Sequence, residues 1–211
     1  MKKNDYIIRL ENKRDYNKTE NLVRESFWNV YRPGCTEHFV LKHLRNDADF
    51  VPQLDFVIEK DGQIIGQVIF VKAAIAKDGG GVLPVLTFGP ISIDKQYQRQ
   101  GYGKILLDYA LEKATEIGFG AVFIEGNINF YRHCGLTFAR DYGIKYHGLP
   151  EDADDSFFLG AELKKGYLNG VAGVYSTPKG YFIPMEQPEE FEKYDATFPP
   201  KEKLKLPGQL E

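Results

Sequence analysis

The stretch QRQGYGKILLDYALEKATEIG, residues 98–118, carries the strongest structural signal in this sequence. Two glycines, Gly101 and Gly103, stand where an apolar stripe with helical spacing begins, and Gly118 follows it. The stripe consists of Tyr102, Leu106, Ala110, Ala114 and Ile117. A glycine-bearing loop that opens a helix exposes unpaired backbone N–H groups at the positive end of the helix dipole. The stretch therefore predicts an anion-binding loop followed by a long helix.

Two common phosphate-binding motifs do not fit this loop. A Walker A loop would need glycine at position 98 and Ser or Thr after Lys104, where the chain has Gln98 and Ile105. A dinucleotide-binding GxGxxG would need glycine at position 106, which is Leu106. Neither of these two motifs therefore describes the loop.

The segments on either side of the loop supply its context. Upstream, Val82–Ile93 has the composition of a strand but contains Gly89-Pro90. Because proline cannot donate a ladder hydrogen bond, this dipeptide predicts a bulge or splay in mid-strand. Downstream, Ala121–Glu125 is typical of a short buried strand, and Asn127–Cys134 of a brief helix.

The rest of the chain completes an α/β pattern. Tyr6–Leu10 predicts a first strand, and two helices follow from Asp15 and Thr36; the first carries Val23, Phe27, Val30 and Tyr31 at helical spacing. Asp61-Gly62 suits the turn of a β-hairpin formed by residues 55–59 and 63–76. Later strands are predicted at Phe157–Leu163 and Val174–Ile183, and the proline-rich tail from Glu186 is expected to wrap the surface. The order predicts a mixed central β-sheet flanked by helices.

Composition limits the partners and the compartment. The net charge is −3, so no basic field would attract nucleic acid or an anionic membrane. Residues 151–211 hold twelve acidic and seven basic side chains, net −5, whereas residues 1–150 are net +2. No apolar run reaches the ~20 residues of a membrane helix, and no apolar signal region follows the first residues. Two distant cysteines suit a reducing compartment, so the sequence predicts a cytoplasmic protein.

Two motifs resemble those of the GNAT superfamily of acyl-CoA N-acyltransferases. Gln98-x-x-Gly101-x-Gly103 matches its Q/R-x-x-G-x-G/A signature. Residues 127–138 resemble its second motif, a tyrosine on a short helix followed by Gly-Phe, with Leu136 in place of the phenylalanine. The stretch from Gly126 to Tyr131 is most similar to bacterial acetyltransferases of the YhbS type.

The resemblance implies a fold and an activity. The expected architecture is a GNAT fold in a single domain, residues 1–211, with a core over about 1–163 and a C-terminal extension over about 164–211. The expected enzyme uses acetyl-CoA as co-substrate, needs no metal, and acetylates a primary amine directly. The acidic C-terminal third favours a cationic small molecule as acceptor. A homodimer is compatible with the resemblance, since the C-terminal strand of such folds often pairs between subunits.

The resemblance also assigns site residues. The splayed strand would offer its backbone to the pantetheine arm at Ile91, Ser92 and Ile93. The loop would hold the pyrophosphate through Gln98, Arg99, Gln100, Gly101, Tyr102, Gly103 and Lys104. Tyr131 would hydrogen-bond the CoA sulfur and protonate the leaving thiolate.

Several assignments stay open at this level. The base that deprotonates the amine is not fixed, because the central strand has apolar or small residues where this family often has a glutamate. Glu125 is the first candidate, and the alternatives are Glu59, His147 and a water relay. Phe27, Trp28 and Tyr31 could line an acceptor pocket or belong to the core. His38 and His43, five residues apart, do not form a metal site. A non-catalytic acyl-CoA sensor and a protein lysine or N-terminal acetyltransferase remain as alternative functions.

Overall fold

In the computed structural model, which describes residues 5–209, nine strands form one mixed sheet. The strands are β1 (Tyr6–Leu10), β2 (Phe56–Lys60), β3 (Gln63–Lys77), β4 (Val82–Ile93), β5 (Ala121–Glu125), β6 (Thr137–Phe138), β7 (Ile144–Tyr146), β8 (Phe158–Glu162) and β9 (Gly173–Tyr175). The α-helices are α1 (Tyr16–Phe27), α2 (Glu37–Leu44), α3 (Tyr102–Glu116), α4 (Ile128–Tyr131), α5 (Ile183–Glu186) and α6 (Pro188–Asp195).

The main path of the sheet runs β1-β2-β3-β4-β5-β8-β6. Along this path every pairing is antiparallel except that of β4 with β5. The long strand β3 pairs with β2 along its first half and with β9 near its end, where Ile75 lies opposite Tyr175. Strand β9 therefore brings the C-terminal part of the chain back to the centre of the sheet.

Helices cover both faces of the sheet. On one face, Leu106, Leu107 and Ala110 of α3 are fully buried against a core that includes Leu86 and Val122. On the other face, the buried side chains of α1 and α2 pack against the sheet residues Ile69 and Val71. This two-sided packing confirms the predicted α/β architecture.

The predicted irregularity in β4 is also confirmed. Phe70 of β3 lies opposite Phe88, and Val68 lies opposite Ile91. Gly89 and Pro90 thus oppose the single residue Ile69, which is the two-against-one count of a β-bulge.

Three predicted boundaries differ from the structure. Helix α1 ends at Phe27 rather than continuing to Tyr31, because Asn29 adopts a positive φ of 60°. The strand predicted at Val174–Ile183 is only the short β9, and residues 179–182 form a 3₁₀ helix. The tail from Glu186 does pack on the surface, but it includes the two-turn helix α6.

The tail is attached to α1 and α2 by buried polar contacts. The Arg24 side chain, 2% exposed, donates from Nε to Asp195 Oδ1 at 2.7 Å. Trp28 donates its indole N–H to Glu202 O at 2.9 Å and lies 4.2 Å from the Arg24 guanidinium. Removing one partner of a buried ion pair typically costs ~3–5 kcal/mol, so these contacts hold the tail firmly. Trp28 therefore belongs to this packing and does not line an acceptor pocket.

Candidate active site

The sheet opens between two parallel strands. In the described part of the chain, β4 and β5 pair at one position, Leu86 with Val122. Beyond it the strands diverge, and the rest of β4 pairs only with β3 on its other side. Gly89 and Glu125 each lie three residues past the last pair, about 10 Å further along their strands. They therefore face each other across the opening.

The edge of β4 offers backbone groups to this opening. The Asp94 N–H donates to Ile65 O of β3 at 2.8 Å. Because hydrogen-bonding direction alternates along an antiparallel strand, Ser92 also points its peptide groups toward β3, while Ile91 and Ile93 point theirs toward the opening. Of the three predicted strand contacts, Ile91 has both peptide groups and Ile93 has its N–H oriented to bind a ligand, whereas Ser92 does not; the Ile93 carbonyl already accepts two hydrogen bonds from the protein.

The loop after β4 is tied back to the strand end. Gln98 donates from Nε2 to Ile93 O at 2.9 Å, and Ser26 of α1 donates to the same oxygen at 3.1 Å. Gln100 donates from Nε2 to Gln96 O at 2.7 Å. The side chains of Gln98 and Gln100 therefore shape the loop.

The loop backbone forms a concave group of amides at the start of α3. Arg99 and Gly101 have positive φ angles of 59° and 92°, so the chain turns its N–H groups inward. Within residues 5–209, no acceptor is bonded to the amides of residues 99–104. Gly101 suits its position because a left-handed conformation is strained for a residue with a Cβ. The free amides at the N-terminus of a 15-residue helix are well placed to bind phosphate.

The charged and aromatic side chains of the loop are not equally free to contact a bound ligand. Arg99 is exposed. Lys104 is also exposed but forms an ion pair with Asp108 one turn along α3. The Tyr102 ring is buried, and its hydroxyl accepts a hydrogen bond from Lys60 Nζ at 2.9 Å, so only the backbone of Tyr102 is available to a ligand.

Tyr131 lies at the opening on the α3 side of the sheet. It ends α4, a short helix whose first turn is capped by Asn127 Oδ1, which accepts from the Asn129 N–H at 2.9 Å. The Tyr131 ring packs edge-to-face on Phe88, with centroids 5.7 Å apart. A Cβ on residue 126 would stand 2.3 Å from the ring, so Gly126 makes this close packing possible. Burial raises the pKa of the Tyr131 phenol well above its usual value, which keeps the hydroxyl protonated as a donor.

Glu125 reaches the same opening from the other face. In β5, Val122 and Ile124 belong to the core beneath α3, whereas Phe123 packs in the opposite core. Since side chains alternate along a strand, Glu125 shares the face of Phe123. Tyr131 and Glu125 thus flank the opening from opposite sides of the sheet.

Two hydroxyl groups hold the Glu125 carboxylate. Its Oε1 lies within hydrogen-bond distance of Thr177 Oγ1, at 2.6 Å, and of Tyr146 Oη, at 3.0 Å. A third hydroxyl, of Tyr181, donates to Gly89 O at 3.0 Å across the opening. Sequence reasoning missed Thr177, Tyr146 and Tyr181, because no local motif marks them and they reach the site only through the pairing of β9 with β3.

Other sequence candidates lie outside this group or have structural roles. Glu59 forms an ion pair with Arg9 at 2.6 Å on β2, which is separated from β4 by β3. His147 is exposed and follows β7, with its backbone N–H bonded to Tyr175 O at 2.8 Å. Cys134, three residues after Tyr131, is a poor nucleophile, because burial raises the pKa of its thiol to about 11. Over residues 5–209, no group of three or more His, Cys, Asp or Glu side chains is arranged to hold a metal ion.

A search for membrane-spanning segments in the described residues finds no helix with the length and hydrophobicity to cross a bilayer.

Comparison with known proteins gives consistent matches. Residues 21–136 match the profile described as the acetyltransferase (GNAT) family. The chain is similar to the uncharacterized N-acetyltransferase YhbS of Escherichia coli K12, with 26% identity over 168 residues, covering 80% of this chain and 93% of the relative. A crystal structure of E. coli YhbS in complex with CoA has a TM-score of 0.72 and covers 84% of this chain and 92% of that one. A GNAT acetyltransferase from Brucella melitensis, solved with acetyl-CoA, shares the fold at 19% identity, with a TM-score of 0.65 and coverage of 83% and 97%.

Proposed function

Because this chain belongs to the GNAT family of acetyltransferases, we propose that it transfers the acetyl group of acetyl-CoA directly to a primary amine of a cationic small molecule. The observation that carries this proposal is the placement of a half-buried phenol, Tyr131, and a hydrogen-bonded carboxylate, Glu125, on opposite sides of one opening in the sheet. With the phenol on one side of the opening and the carboxylate on the other, one group can act at the CoA sulfur and the other at the amine nitrogen.

The acetyl-CoA site follows the open edge of β4 and the start of α3. The outward peptide groups of Ile91 and the N–H of Ile93 would bind the pantetheine arm as an added strand. The free amides of residues 99–104 would bind the pyrophosphate, with Arg99 adding a charge-assisted contact. Two features favour this placement: these amides have no acceptor among residues 5–209, and the similar proteins from E. coli and B. melitensis were solved with CoA and acetyl-CoA.

Tyr131 would act on the sulfur atom. Acetyl-CoA supplies the thioester, and its C–S bond breaks as the amine nitrogen bonds to the acetyl carbon. The raised pKa of Tyr131 makes its phenolate a stronger base than a thiolate, whose conjugate acid has a pKa of about 8.5, so complete proton transfer to sulfur is uphill. The phenol therefore stabilises the negative charge on the departing sulfur as a hydrogen-bond donor, and the thiolate can take its proton from solvent after it leaves.

Glu125 would act on the amine nitrogen. A primary amine with a pKa of about 10.4 is almost fully protonated at pH 7 and must lose a proton before it can attack. Thr177 and Tyr146 both contact Oε1, and no described side chain is hydrogen-bonded to Oε2. This second oxygen can accept a hydrogen bond from the ammonium group and receive its proton, directly or through a water molecule.

The charge around the opening favours a cationic acceptor. Glu125 is exposed at the mouth, and a second carboxylate, Asp47, lies against Gly180 next to Tyr181. The chain beyond residue 150 is net −5, which adds a longer-range attraction for cations. A polyamine or an aminoglycoside has the charge that this surface would select.

The test is a thiol-release assay with acetyl-CoA and a panel of amines. We expect a polyamine or an aminoglycoside to give a kcat/KM about tenfold or more above that of an acidic amino acid, since one charge-assisted hydrogen bond is worth ~1.5–3 kcal/mol. The preference should weaken as salt is added. A better rate with lysine-containing or N-terminal peptides would contradict the acceptor class. Acetyl-CoA binding without thiol release on any amine would favour the sensor alternative.

A further inference from the structure

A C-terminal segment, Thr177–Tyr181, crosses the mouth of the opening. At one end, the Thr177 hydroxyl bonds to Glu125 at the end of β5. At the other end, the Tyr181 hydroxyl bonds to Gly89 at the bulge of β4. These five residues therefore connect the two strands where they have separated, on the face opposite α3.

The segment is fixed in place on both sides. Before it, Tyr175 of β9 is 1% exposed and pairs with Ile75 of β3. Within it, Gly180 packs so closely on α2 that an added Cβ would stand 2.7 Å from the Leu44 side chain. After it, Pro184 at the start of α5 is buried. The position of Thr177 is thus set by packing on both sides.

Thr177, Tyr146 and Glu125 form a compact hydrogen-bonded cluster. Thr177 Oγ1 lies 2.6 Å and Tyr146 Oη 3.0 Å from Glu125 Oε1, and the two hydroxyl oxygens are 2.7 Å apart. Because each hydroxyl carries one proton, two of these three contacts are hydrogen bonds at any time, and at least one hydroxyl donates to the carboxylate. The Tyr146 ring is itself held edge-to-face between Phe157 and Phe158. Burial raises the pKa of Tyr146 to about 12, so this hydroxyl remains a donor through neutral pH. Hydrogen bonds to a charged acceptor are among the stronger ones in proteins, and a hydroxyl pair that ends on one carboxylate oxygen restricts the carboxylate rotamer.

We propose that the segment Thr177–Tyr181 completes the acceptor side of the active site, and that Thr177 and Tyr146 are positioning residues that aim Glu125 Oε2 at the amine. This inference rests on the proposed function, because it needs Glu125 to receive the amine. It assigns a role in the reaction to the C-terminal extension, which lies beyond residue 136, where the match to the family profile ends.

The test uses Thr177→Val, which keeps the shape and removes the hydroxyl, and Thr177→Ser, which keeps the hydroxyl. We expect Thr177→Val to lower kcat/KM for the amine about tenfold, with kcat reduced and the Kd for acetyl-CoA unchanged within about twofold. Thr177→Ser should recover most of the loss.

Tyr146→Phe, which keeps the ring packing, should reproduce the effect of Thr177→Val. Thr115→Val, which removes a hydroxyl bonded to Leu111 O at 2.8 Å near the end of α3, is the matched control and should leave the rate unaffected.

A double-mutant cycle separates positioning from packing. If Thr177 acts through Glu125, adding Thr177→Val to Glu125→Gln should cause less than about a twofold further loss. Equal losses in both backgrounds would overturn the inference, as would a fall in melting temperature and acetyl-CoA binding parallel to the fall in rate. If the wild type acetylates amines and the Thr177→Val and Tyr146→Phe variants do so at the same rate, this inference alone is overturned. A wild type inactive on every amine would overturn the proposed function as well.

Discussion

Replacing Tyr131 with phenylalanine is expected to lower kcat by about 10²- to 10³-fold while the Kd for acetyl-CoA stays within a factor of about two. The ring of Tyr131 packs on Phe88 and closely over Gly126, and phenylalanine keeps both contacts. Only the hydroxyl is lost, and in our account the hydroxyl acts as the C–S bond breaks. The measurements are steady-state kinetics with the best amine and calorimetric titration of acetyl-CoA.

The control for this variant is Tyr109→Phe. Tyr109 belongs to α3 and packs edge-to-face on Phe56 at 5.2 Å, on the part of the helix that faces β2. The Tyr109→Phe substitution removes a phenolic hydroxyl from the same core without changing the opening, so the kcat of this variant should match that of the wild type. A Tyr131→Phe enzyme with unchanged kcat would remove Tyr131 from the mechanism. Loss of acetyl-CoA binding in step with kcat would instead indicate a binding role.

Replacing Glu125 with glutamine is expected to lower kcat/KM for the amine about 10²-fold at pH 7. Glutamine has nearly the same shape but cannot receive a proton, and it presents no charge to an ammonium group. Since the free-amine fraction rises about tenfold for each pH unit below the amine pKa of about 10.4, the defect should shrink by about tenfold or more between pH 7 and 9. The measurement is a pH profile of kcat/KM for the variant relative to the wild type.

The Glu116→Gln variant serves as the charge-matched control, because Glu116 ends α3 and pairs with Lys113. It changes the net charge equally and should leave the profile unaltered. A Glu125→Gln defect that is constant with pH would argue that the carboxylate binds the acceptor without accepting its proton. An unaltered rate would exclude both roles and favour a base elsewhere, such as a water chain.

The features of this protein that can be predicted from its sequence are those that a short stretch of residues specifies. The glycines of the loop specify backbone angles that few other residues adopt easily, and the helix that follows has a clear apolar stripe. Gly89-Pro90 marked the bulge because proline lacks the N–H that a ladder requires. The position of Tyr131 followed from a motif in which a short helix directly succeeds a strand.

The rest depended on contacts between distant parts of the chain. Strand β9 has three residues, and its pairing with β3 joins positions about a hundred residues apart, which no periodicity reveals. Thr177 and Tyr181 are unremarkable in sequence and reach the opening only through that pairing. Trp28 is an aromatic residue of a kind that often lines pockets, but its indole N–H bonds to Glu202, 174 residues further along the chain, and this contact cannot be predicted from local sequence. The orientation of Ser92 toward β3 likewise follows from strand register, which the sequence alone did not define.

A thermal-shift titration with acetyl-CoA, CoA and ATP tests whether acetyl-CoA binds along β4 and the loop at residues 98–104. A ligand that binds only the folded state stabilises it by ~2.7 kcal/mol at one hundred times its Kd. For a chain of this size that predicts a rise in melting temperature of about 5–10 °C with acetyl-CoA, a comparable rise with CoA, and little change with ATP. An unchanged melting temperature at saturating acetyl-CoA, or an equal response to ATP, would contradict the account.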